Sequence, residues 1–94
     1  MAELRYERLP PGLRDGVQRY IEHGIPPGHF LRAVMSNDLR EACGRADDIN
    51  RHLLWEVVGW FWNEAPARCW GSPQKVADWI DTAAKQREDR GEQP

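Results

Sequence analysis

Three histidines (His23, His29, His52) and two cysteines (Cys43, Cys69) supply the metal-ligating and nucleophilic atom types in this 94-residue chain. None shows the Cys-x-x-Cys or His-x-x-x-His spacing of a zinc site. His52 and Glu56 stand four apart, one helical turn, which permits a shared metal ion and metal-assisted hydrolysis. A solvent-facing histidine and two buried thiols explain the same residues without a ligand. Asp38, Asp47, Asp48 and Glu64 could do acid–base work if one cleft buried them together. Helix capping explains three of these four more simply. No Gly-x-Ser-x-Gly, phosphate-binding glycine loop or catalytic-cysteine context accompanies them. The residue types therefore predict binding without turnover: no catalytic residue, no metal, no cofactor.

The stretch HGIPPGHFLRAV, residues 23–34, is the first binding candidate. Pro26 and Pro27 carry no N–H, so the first donors at the following helix start belong to Gly28, His29 and Phe30. Such an end attracts phosphate or carboxylate. The competing reading is plain punctuation, one helix stopped and the next begun. Arg32, Arg40, Arg45 and Arg51 come from successive helices and would form an anion patch beside Asn37 if they shared a face. Scattered over the surface, they are solvated and salt-bridged. Trp70, in RCWGS, either covers the core or stacks on a partner. Trp55 and Trp62 lie seven apart on a helix whose other face is already apolar, the pattern of a partner or oligomer surface. The candidate ligand- or partner-binding set is His29, Asn37, Asp38, Arg40, Arg45, Asp47, Trp55, Trp62 and Trp70.

Five helices must position these groups. Pro10-Pro11-Gly12 opens the first, whose apolar face is Leu13, Val17, Tyr20 and Ile21 and whose stop is Gly24. Ile25-Pro26-Pro27-Gly28 repeats that punctuation before a second helix with Phe30, Leu31, Val34 and Met35 inward, ending near Ser36. Ser36 or Asn37 caps a third, whose narrow apolar side is Leu39, Ala42, Cys43 and Ala46. The fourth runs from about Asp48 to Glu64, with Ile49, Leu53, Val57, Trp60 and Phe61 on one face; Leu54, Trp55, Val58 and Trp62 broaden it. Ala65-Pro66 ends it. Ser72-Pro73 starts the last helix, with Val76, Trp79, Ile80, Ala83 and Ala84 inward. No strand-like alternation of useful length occurs. The expectation is an all-α single domain of four to five short helices over 10–84, with an N-terminal arm, or a short helix in need of a partner, at 1–9 and a frayed charged tail at 85–94.

Composition narrows the classes. Thirteen Lys+Arg against fifteen Asp+Glu give a net charge of −2, unlike the basic face of a duplex-DNA binder. No apolar run approaches the roughly 18 residues that span a membrane. The opening MAELRYERLPPG lacks the apolar core of a secretory signal, so two reduced thiols in a cytoplasm are expected.

The phrases IEHGI-PG-FL-AV, NDL-EA--RAD and NEAP---WGSP-KV--WI, spread over Tyr20 to Ile80, resemble a group of small accessory proteins of tailed phages and prophages. Trp62 stands where that group often has tyrosine. The resemblance implies action in the cytoplasm of an infected bacterium, as a host-takeover or counter-defence factor that occludes a host protein or soaks up an anionic signalling nucleotide. It singles out His29, Asn37, Asp38, Arg45, Asp47, Asn63 and Glu64 as polar residues a helical core needs least. The alternatives are a helix-turn-helix regulator built from the second and third helices, and a small metal-assisted hydrolase using His52 and Glu56.

Overall fold

The computed structural model describes residues 4–89, and its elements follow from local chemistry. A 3₁₀ turn at Pro11–Leu13 leads into α1 (Arg14–His23); then come α2 (His29–Met35), α3 (Leu39–Arg45), α4 (Asp48–Glu64) and α5 (Pro73–Asp89). Two further 3₁₀ turns stand at Tyr6–Arg8, near the start of the chain, and at Ala67–Cys69, between α4 and α5, and the described residues contain no strand. The protein is an all-α single domain.

Each helix boundary has a cause. Gly24 ends α1 in the left-handed region (φ +67°) and returns its N–H to the Tyr20 carbonyl at 2.8 Å. The Asp38 carboxylate accepts from the Glu41 N–H (3.1 Å) to start α3, and that of Asp47 accepts from the Asn50 N–H (2.7 Å) to start α4. The cap of α3 is thus Asp38, not Ser36 or Asn37. Asn37 instead takes the left-handed turn (φ +62°) that lets the chain double back. Ser72 Oγ accepts from the Lys75 N–H (3.1 Å) at the start of α5.

The core joins Val17, Tyr20 and Ile21 of α1, Phe30, Leu31, Val34 and Met35 of α2, Leu54, Val57, Trp60 and Phe61 of α4, and Val76 of α5. Burial of such side chains contributes about 1.5–3 kcal/mol each. Three tryptophans are tied in by their indole N–H or ring. Trp60 donates to the Arg5 carbonyl (2.9 Å), Trp79 donates to the Tyr20 carbonyl (3.0 Å), and Trp70 leans on Phe61 at 5.6 Å.

Four expectations need correction. The first is the N-terminal arm, where the alternative of a short helix with a partner lies nearer to what is found: a 3₁₀ turn packed on α4. From Leu4 onward it belongs to the core: Leu9 is 1% exposed, Tyr6 stacks on Trp60 at 5.5 Å, and Arg14 donates to the carbonyls of Leu9 (3.0 Å) and Glu7 (2.8 Å). A single 3₁₀ turn has no apolar period to read. The second is the tail. Helix α5 continues through residues 85–89, with Arg87 donating to the His23 carbonyl, because no breaker occurs before Gly91. Residues 1–3 of the arm and 90–94 of the tail lie outside the described residues. The third is α3, which buries Ala42, with Ala46 buried just past its end, but leaves Leu39 60% exposed and Cys43 exposed, so only the Cys69 thiol is buried. The fourth is α4. Its inner face is centred on Leu54, Val57 and Phe61, which turns Ile49 outward at 69% exposure.

Candidate functional site

Three of the residues singled out from the sequence meet in one place. Asn37, Trp62 and Trp70 line a groove of about 520 Å³, together with Gly71 and Lys75 and flanked by Ala65 and Ala67. Four pieces of chain build it: the α2–α3 link, the end of α4, the loop that follows, and the first turn of α5.

Backbone geometry fixes that convergence. Asn37 donates its N–H to the Val34 carbonyl (3.1 Å) and Asp38 to that of Ala33 (2.9 Å), which closes the link around the end of α2. Gly71 donates to the Met35 carbonyl at 2.6 Å, pinning the Trp70 loop to the same helix end. Its φ of +112° excludes side-chain-bearing residues. A Cβ placed on Gly71 would stand 3.7 Å from the Lys75 ammonium, so the lysine overhangs the groove floor. The ion pairs among the described residues are Arg45–Glu41 (3.2 Å) and Arg51–Asp48 (3.7 Å), and Lys75 belongs to neither.

Beneath the groove, the Tyr20 hydroxyl donates to the Cys69 carbonyl at 2.7 Å. Burial pushes the Cys69 thiol up to about 12 and raises the Tyr20 phenol as well. Both stay protonated at neutral pH, which leaves the thiol a packing group. The groove therefore offers two indole surfaces, one carboxamide and one ammonium.

The other sequence candidates lie elsewhere. Trp55 is 80% exposed on α4, two turns before Trp62 at 79%. The Asp38 and Asp47 carboxylates are engaged in capping. His29 is exposed as the first residue of α2, Arg40 is exposed on α3, and Arg45 pairs with Glu41. None of Arg32, Arg40, Arg45 and Arg51 lines the groove. No group of three His, Cys, Asp or Glu among the described residues is placed to hold a metal. Sequence reasoning missed Lys75 and Gly71. The Ser72-Pro73 start does place Lys75 in the first turn of α5, but only the loop's path brings that turn to Trp62. Comparison with protein-family models, curated proteins and solved structures finds no match to the chain.

Proposed function

We propose that the protein is a small phage-encoded binding protein that acts by stoichiometric sequestration of a host protein. One observation carries this reading: Asn37, Trp62 and Trp70 converge in one groove with Lys75, which has no ion-pair partner among the described residues. Exposed tryptophan beside a lone charge is the composition of an interface anchor. The phage origin, the cytoplasm of an infected bacterium as the place of action and the counter-defence role rest on the shared phrases between Tyr20 and Ile80.

A protein segment suits the groove better than a signalling nucleotide. Phosphate recognition uses several converging N–H donors or a bidentate arginine. Here the Gly71 N–H is committed to Met35 and the arginines lie elsewhere. The test is affinity capture from infected cells with the wild type, Trp62→Ala and Lys75→Glu, with mass spectrometry of retained proteins and small molecules. The wild type is expected to retain one host protein in near-equimolar amount, and both variants to lose it. Retention of a nucleotide that raises the melting temperature would move the reading to the small ligand.

A further inference from the structure

The groove uses Trp62 but leaves Trp55 unexplained. Trp55 is 80% exposed and does not line the groove. It lies on the stripe Asp48, His52, Trp55, Gly59 and Trp62, spaced four, three, four and three along α4. That is the spacing of a coiled-coil seam, and it runs opposite the face that buries Leu54, Val57 and Phe61. Gly59 sits at its middle, and a Cβ built there meets nothing within 4 Å. The seam thus alternates large and small, with a bulky ring on one turn and a bare patch of backbone on the next.

Such a stripe complements itself. When two copies of α4 run antiparallel about a two-fold axis at the level of residue 57, each Trp55 opposes Gly59 of the second copy. Each His52 then opposes Trp62 of the second copy. The missing side chain at Gly59 accommodates the indole, and symmetry makes the contact twice. The area is that of a weak, reversible pair. Four indoles exposed by about four-fifths offer on the order of 600 Å², and His52 with the stems of Arg51 and Glu56 borders them, which places the contact at the small end of interface sizes, below the roughly 1,200 Å² of standard ones. A net charge of −2 per chain sets no strong repulsion between copies.

We infer that the outer face of α4 is a homodimer interface in which the Trp55 indole of each copy seats over Gly59 of the other. The second copy is the occupant this stripe fits, because the large and small positions that must meet are both on it.

Sedimentation velocity and light scattering of the full chain over a wide concentration range test this. The wild type is expected to move from the 10.9 kDa monomer to twice that mass as concentration rises. Trp55→Ala should stay monomeric over the same range; the residue is exposed, so circular dichroism should be unchanged. Gly59→Leu improves helix propensity yet fills the slot, and it should weaken the dimer about tenfold or more. A wild type that remains at 10.9 kDa throughout overturns the inference. So does a Gly59→Leu dimer as tight as the wild type, since Trp55 would then not lie over that residue. Trp62 borders both surfaces, but Trp55 and Gly59 do not line the groove; a wild type that stays monomeric yet captures its host protein overturns the dimer and leaves the sequestration reading standing.

Discussion

The Tyr20 hydroxyl donates a 2.7 Å hydrogen bond to the Cys69 carbonyl, 49 residues along the chain, and so joins α1 to the turn beneath the groove. Both residues are fully buried, and water cannot replace the bond. Tyr20→Phe keeps the ring and leaves the carbonyl without its donor. It should cost about 1–3 kcal/mol, read as a lower urea midpoint with an unchanged slope. Trp70 follows Cys69 directly, so the same substitution should weaken partner capture without touching a groove residue.

Gly24 serves two purposes that substitution can separate. Its positive φ ends α1, and its bare α-carbon lets that end approach α5, where an added Cβ would fall 2.2 Å from the Ala83 Cβ. Gly24→Ala should therefore destabilise through backbone strain of about 1–2 kcal/mol and through overlap as well. Ala83→Gly in the same chain should recover the overlap part and not the strain. A double-mutant cycle in urea reads the coupling. Additive effects would mean that the two helices do not touch there.

The two thiols should differ in reactivity. Cys43 is exposed and should react with a thiol reagent in the native protein, whereas Cys69 should react only on unfolding. The same burial sets a pH dependence. The Cys69 thiol ordinarily titrates near 9.0 and is pushed up to about 12. Burial and the nearby Glu22 carboxylate raise the Tyr6 phenol from 10.0 to about 12. The folded state keeps protons that the unfolded chain releases. This stability is therefore fully present below pH 9 and is lost as pH rises from there toward 12. Urea midpoints should be flat from pH 7 to 8.5 and fall above 9. In Cys69→Ala the fall should begin near 10, where the tyrosines take over.

Much of this was legible because it is local chemistry. Asp47, Gly24 and Ser72-Pro73 mark helix ends by what one or two residues can do with unpaired N–H and C=O groups. Ser36-Asn37-Asp38 offered three capping residues in a row. The choice fell to Asp38 because the turn needs a residue that tolerates positive φ, and Asn37 supplies it. Periodicity gives the spacing of apolar residues but not the rotation of a helix against its neighbours, so Leu39 and Ile49 look internal and are not. Tyr6 and Leu9 escaped notice because a three-residue turn has no period. Of the groove, Trp62 was readable as an aromatic without a core role, and Trp70 only as a loop aromatic that covers the core or meets a partner; it leans on Phe61 and lines the groove as well. Lys75 was not, because its position depends on how the Trp70 loop is pinned to Met35.

Asn37 offers the sharpest separation of folding from binding at the groove. Its φ of +62° is tolerated by asparagine and aspartate and preferred by glycine, whereas alanine adopts it only at a cost. Asn37→Gly should therefore fold as stably as the wild type, while removing the carboxamide from the groove wall. Asn37→Ala removes the same amide and should in addition lose about 1 kcal/mol. If the amide contacts a captured partner, both variants should lose capture to a similar extent although their melting temperatures differ. Loss that instead follows melting temperature, with Asn37→Gly capturing like the wild type, would assign Asn37 to the turn alone and leave Trp62, Trp70 and Lys75 as the gripping groups.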